Sequence, residues 1–94
     1  MNDKQLDRVA EIVQARVERQ LKEFANLVES EGATFAIAVI VSSCAEIAGA
    51  AIASHSDPDI REAGQLAFSL AMMHSVEKHH IRYAAQEAIE KAKA

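Results

Sequence analysis

Residues 33–54 form a continuous apolar segment in which Glu46 is the single charged residue. The rest of the segment is almost entirely Ala, Ile, Val, Ser, Gly and Cys, whereas the stretches on both sides of it are heavily charged. A helix that is apolar on nearly every side must be covered on more than one side, by protein or by lipid. The sequence therefore predicts a middle helix that needs more partner surface than an ordinary amphipathic helix.

The chain is short for a protein with such a segment. Its 94 residues fit a single helical domain over residues 1–94, at the small end of what one hydrophobic core can stabilise. Half of the residues are hydrophobic but only 4% are aromatic, so core volume must come from Ala, Ile, Val and Leu. Small side chains bury little area each. We therefore expect close approach of helices and the addition of a second chain.

Apolar residues recur at three- and four-residue intervals along most of the chain, which is the periodicity of amphipathic helices. Short turns between helices make consecutive helices antiparallel neighbours. The predicted fold is all-α, a three-helix antiparallel bundle that assembles as an intermolecular helical bundle. The predicted helices lie at about 3–30, 34–54 and 58–92.

The predicted helix ends rest on a few capping residues. Asn2 begins a four-residue segment with the spacing of a capping box. Gly32 suits the left-handed position that follows a helix, and Thr34 suits the cap of the second helix. Asp57 suits the cap of the third helix, with Pro58 in its first position.

The third helix carries two apolar stripes, and its last turns extend beyond the length that the second helix can cover. A helix with two apolar stripes usually packs against two partners. We therefore predict a homodimer in which the third helix, together with the first, packs against its symmetry mate. The predicted interface residues are Phe68, Met72, Val76, Tyr83, Ile81, Ala85 and Ile89.

The densest group of ligand-type side chains lies on the third helix and includes His74, Glu77 and His80. Glu77 to His80 has the spacing Glu-x-x-His, and together with Glu46 it resembles the ligand set of ferritin-like di-iron bundles. In the predicted antiparallel pairing, however, Glu46 and Glu77 lie about 15 Å apart along the helices. One alternative is a metal site made from these four residues. The other has no metal, with Lys78 to His80 on a solvated charged face and His74 and Glu77 in a hydrogen-bonded polar layer. We predict no cofactor.

Several functional classes are disfavoured by charge and spacing. The net charge of −4 argues against nucleic acid, and Arg8, Arg16, Arg19 and Lys22 alternate with glutamates rather than forming a basic patch. A membrane span is disfavoured because Glu46 lies near the centre of the apolar segment. No Lys or Arg occurs between Lys22 and Arg61 to flank that segment.

Catalysis also lacks a recognisable arrangement. Ser42, Ser43 and Cys44 are nucleophile types, but no His or Asp stands at a spacing that predicts a relay. The charged start of the chain is unlike a signal peptide, so we expect a cytoplasmic protein.

The function predicted from these features is a small soluble helical-bundle protein that acts through oligomerisation and protein–protein contacts. It is expected to be non-catalytic, and an accessory, regulatory or assembly subunit fits its size. A homodimer is favoured, with a further protein partner left open. The alternative is a bundle that binds a metal or small ligand through the histidine and glutamate cluster of the third helix.

Overall fold

The computed structural model describes every residue from Met1 to Ala94 and contains three α-helices and no strand. The helices hold 91% of the residues, so the predicted all-α, three-helix fold is confirmed. Each predicted helix end lies within one residue of the observed end. The helices are α1 (Asp3–Glu31), α2 (Ala33–Ala53) and α3 (Pro58–Lys93).

The start of α1 is fixed by the predicted capping box. The Gln5 backbone N–H donates to Asn2 Oδ1 at 2.8 Å, and the Asn2 backbone N–H donates to Gln5 Oε1 at 3.0 Å. These bonds satisfy two of the backbone donors that a helix start leaves without a partner. The prediction for this end is confirmed.

The turn between α1 and α2 is a single residue, Gly32. Its φ of 92° is positive, as predicted, but its ψ of 164° is far from the left-handed helical value. Its N–H donates to the Val28 carbonyl at 3.0 Å and its carbonyl accepts from Ala36 N–H at 3.1 Å. The prediction that Thr34 caps α2 is wrong, because α2 already begins at Ala33.

The turn between α2 and α3 is held by hydrogen bonds to both helix ends. Asp57 caps α3, as predicted, because its Oδ1 accepts from Asp59 N–H at 2.9 Å, and Pro58 occupies the start of the helix. Arg61 reaches back and donates to the carbonyls of His55 at 2.9 Å and Ser56 at 3.2 Å. These carbonyls follow the end of α2, so one side chain of α3 fixes the turn.

The chain divides into two compact units, Met1–Glu46 and Ile47–Ala94, with the boundary inside α2. The single domain expected from length stays a prediction. In the first unit, α1 and α2 pack as a hairpin around Gly32. Phe24 and Ile40 lie eight residues before and after that glycine and line the same apolar depression, together with Val17, Gln20 and Leu21.

In the second unit, the end of α2 packs against the start of α3. A Cβ atom placed on Gly64 would lie 3.3 Å from Cγ1 of Ile52, so the two helices approach closely at this point. Ile52, Gly64 and Phe68 are half-buried. From Ile81 to Ala94, however, every residue of the chain is exposed.

The chain has almost no interior of its own. Ala36 is the single buried residue, and no large side chain is fully buried. Large apolar side chains are exposed in all three helices, among them Val13, Ile47 and Met73 at 51%, 61% and 69%. The helices are well formed locally, but the apolar faces that should drive their packing remain accessible.

Candidate interaction surface

The apolar helix α2 is the largest uncovered feature of the chain. It is long and apolar enough to cross a membrane, by length and composition alone, yet only 6% of its most apolar 18-residue window is buried. The core helix of a globular domain is normally covered by its neighbours. Helix α2 therefore has the composition of a core helix and the exposure of a surface helix.

A second uncovered surface lies on α3. One turn beyond the contact with Ile52, the helix presents an open groove that is mainly apolar, with a carboxylate and an imidazole at its C-terminal end. We call it the α3 groove, and its residues are Phe68, Ser69, Met72, Met73, Val76, Glu77 and His80. Met73 and Val76 are 69% and 62% exposed, which leaves them free to contact another molecule.

The predicted interface residues are accessible along most of their length. Met72 and Val76 are 43% and 62% exposed, and Ile81, Tyr83 and Ile89 are between 56% and 64% exposed. Ala85 is exposed, and Phe68 alone is half-buried. The isolated chain leaves these seven residues available for an interface, and their role in one stays a prediction.

The predicted metal ligands are not brought together within one chain. No group of three or more His, Cys, Asp or Glu side chains has a metal-binding arrangement. His74, Glu77, His80 and Glu46 are all exposed. Glu77 and His80 share the α3 groove, one turn apart, and so supply two of the four predicted ligands. A site that used them needs further ligands from another molecule.

The small-residue side of α2 is also open. Glu46 is exposed and makes no ion pair, since the chain's one salt bridge joins Lys91 Nζ to Glu87 Oε1 at 3.3 Å. A Cβ atom placed on Gly49 would meet nothing within 4 Å. No other helix of the same chain therefore packs closely against this side of α2 at Gly49.

The nucleophile-type residues of α2 are engaged in ordinary helix contacts. The Ser43 hydroxyl donates to the Val39 carbonyl one turn back at 2.7 Å, which is a common bond for serine inside a helix. Cys44 is a free, half-buried thiol. Neither side chain is hydrogen-bonded to a histidine or a carboxylate, the partner that nucleophilic catalysis requires.

Two contacts of the structure were not predicted from the sequence. Arg61, near the start of α3, fixes the turn by donating to the carbonyls of His55 and Ser56, and no spacing rule in the sequence indicates that role. His79 was expected on a solvated face, but it is half-buried, and its ring stacks on Tyr83 with centroids 6.2 Å apart and an interplanar angle of 29°. The four-residue spacing of the two rings is the signal that predicts this contact.

The chain matches no protein-family model, and neither a curated protein nor a solved structure is significantly similar to it. The case for a function therefore rests on the surfaces described above.

Proposed function

We propose that this protein is a soluble subunit of a homo-oligomer, with a dimer as the simplest form, and that it acts through protein–protein contacts. The observation that carries the proposal is the absence of an interior, because Ala36 alone is buried. Helices in water are stabilised mainly by the packing of their apolar faces. A chain with three long helices and a single buried residue needs another chain to stabilise them.

The accessible surface gives the scale of the missing contact. The chain exposes 8184 Å², whereas a folded monomer of 10.2 kDa exposes about 5,300 Å². The excess of about 2,900 Å² is comparable to the largest areas that one subunit contributes to an obligate interface. This supports an interface that is part of the fold, rather than a transient contact between finished monomers.

Protein is a better cover for α2 than lipid is. At 21 residues α2 is about 31 Å long, which matches the hydrocarbon thickness of a bilayer. However, α1 packs beside it, with Phe24 and Ile40 lining one depression. A membrane position for α2 would carry Lys22 and Glu23 of α1 to the same depth, and charged side chains there are costly. Glu46 adds a further cost.

An accessory, regulatory or assembly subunit is the role that fits these features. Such a subunit presents a helical surface to a partner and needs no chemistry of its own. The metal-binding alternative has less support, because only Glu77 and His80 of its four candidate ligands share one groove. The test of the proposal therefore measures the subunit number and the metal content of the same purified protein.

Light scattering on the untagged protein at micromolar concentration tests the proposal. The expected mass is that of a dimer or a small multiple of the chain, with no metal present after purification. A well-folded monomer would contradict the proposal. Stoichiometric metal that disappears in a Glu77→Ala variant would support the alternative instead, and a co-purifying heterologous protein in place of a second copy would overturn the homo-oligomer.

A further inference from the structure

One stripe of α3 is complementary to itself. Its residues recur at the three- and four-residue intervals of a single helix face, and all of them are exposed. The stripe is apolar at both ends and carries a carboxylate and an imidazole at its centre. We call it the axial stripe, and its residues are Met73, Val76, Glu77, His80, Ile81 and Ala84.

From this stripe we infer that α3 packs antiparallel against α3 of a second copy, about a two-fold axis that passes between Lys78 and His79. The inference rests on the proposed function and adds the surface and register of the interface. In this register Glu77 lies opposite the partner's His80, Val76 opposite the partner's Ile81, and Met73 opposite the partner's Ala84. A two-fold axis makes each contact twice, as an isologous interface requires.

Side-chain size favours this register. Met73 is large and Ala84 is small, so their pairing lets the two helices approach closely without leaving a void. Val76 and Ile81 are 62% and 61% exposed in the single chain, and pairing covers both of them. Beyond the stripe, the C-terminal turns of each α3, which are exposed from Ile81 onwards, would lie along the partner's α3 groove.

Charge favours the antiparallel direction. In a parallel pair, Glu77 would face the partner's Glu77, and His80 would face the partner's His80. The antiparallel pair instead places a carboxylate acceptor opposite an imidazole N–H donor on each side of the axis. Antiparallel helices also place the opposite ends of their dipoles side by side.

The chemistry of the axial stripe favours a second copy as the occupant. The uncovered surface of the chain is as large as an obligate interface requires. The large and small residues of the axial stripe, and its acid and base, are arranged symmetrically about one point. A different partner protein would not need that symmetry, whereas a second copy of α3 does.

Cysteine cross-linking tests the register directly. In a Cys44→Ser background, a variant with Met73→Cys and Ala84→Cys is expected to form a covalent dimer under mild oxidation, because the two sulfurs face each other across the interface. Either substitution alone is the matched control. It is expected to stay uncross-linked, since identical positions on the two copies are offset by about 16 Å along the helix.

A second pair, Met73→Cys with Ala88→Cys, would face each other only if the register were shifted by four residues, about one helical turn. Preferential cross-linking of this pair would overturn the proposed register. Failure of both pairs, while light scattering still shows a dimer, would overturn the α3 interface and leave the proposed function standing. A monomer in the same assay would overturn both.

Mixing two charge variants gives a second test without cysteines. Glu77→Lys and His80→Glu chains each lose the acid–base pair in their own homodimers. In a mixed dimer, the new lysine of one chain faces the new glutamate of the other on one side of the axis. On the other side, His80 of the first chain faces Glu77 of the second. We expect the mixed dimer to form about tenfold more readily than either homodimer. The Glu62→Lys variant is the control, because Glu62 lies on α3 beyond the overlap, and a purely statistical mixture would contradict the inference.

Discussion

Gly64 of α3 and Ile52 of α2 approach so closely that a Cβ atom on the glycine would lie 3.3 Å from Ile52 Cγ1 and 3.5 Å from Ile52 Cγ2. Both of those carbons are attached to the branched Cβ of isoleucine, whose χ1 angle has few alternatives in a helix. The isoleucine therefore has little freedom to move aside. This contact fixes how closely the end of α2 and the start of α3 pack in the second unit.

The contact predicts a coupling between the two positions. In an Ile52→Ala background, Gly64→Ala is expected to raise the free energy of unfolding by about 1 kcal/mol, since alanine is the better helix former. In the wild-type background, crowding against Ile52 should cancel most of that gain, giving a coupling of about 1 kcal/mol. Urea unfolding of the four proteins at one fixed concentration measures it. Equal effects of Gly64→Ala in both backgrounds would contradict the contact.

The cap of α3 gives a second prediction. Asp57 Oδ1 accepts from Asp59 N–H at 2.9 Å, so Asp57→Ala removes a capping bond and should lower the free energy of unfolding by about 1 kcal/mol. Asp57→Asn is the matched control, because asparagine keeps an acceptor oxygen at the same position and is an equally good cap. If the two variants lost the same stability, the capping bond would not be the cause.

The exposure of α2 gives a third prediction. Mixed with neutral phosphatidylcholine vesicles, the protein is expected to stay in the aqueous fraction on flotation, because α1 holds charged residues beside α2. The Glu46→Leu variant is the informative control, since it removes the one charge of the segment and leaves the α1–α2 hairpin in place. Flotation of the wild-type chain with the vesicles, with α2 protected from protease, would show that lipid covers this helix.

The helices were predictable because their boundaries are set locally. Asn2 and Gln5 satisfy each other's backbone N–H groups, and Asp57 accepts from Asp59 N–H. Pro58 has no N–H to satisfy, and such signals can be read from the sequence. Thr34 does not cap α2, because Gly32 makes the turn by itself and the helix begins before the threonine. Local signals compete at such short spacings, and here the bond from Ala36 N–H to the Gly32 carbonyl starts the helix at Ala33.

The surfaces were less predictable than the helices. Periodicity identified the apolar residues of α3, but it does not tell which of them the chain covers by itself. Phe68 is half-buried next to Gly64, whereas Val76 and Ile81 are open. That difference depends on where α2 ends relative to α3, which is a property of the turn at Asp57 rather than of the stripe. The placement of Glu77 and His80 in one groove, by contrast, follows from their three-residue spacing on α3.

Concentration-dependent unfolding is the sharpest test of whether the chain folds only as a homo-oligomer. If the chain is folded only as a homo-oligomer, a hundredfold increase in protein concentration should stabilise a dimer by about 2.7 kcal/mol, and the midpoint of thermal unfolding should rise accordingly. Circular dichroism at about 1 and about 100 micromolar protein measures it. A rising midpoint, with helix content lost on dilution, is the predicted result. An identical midpoint at both concentrations, with a cooperative transition, would show that the chain folds without a second copy.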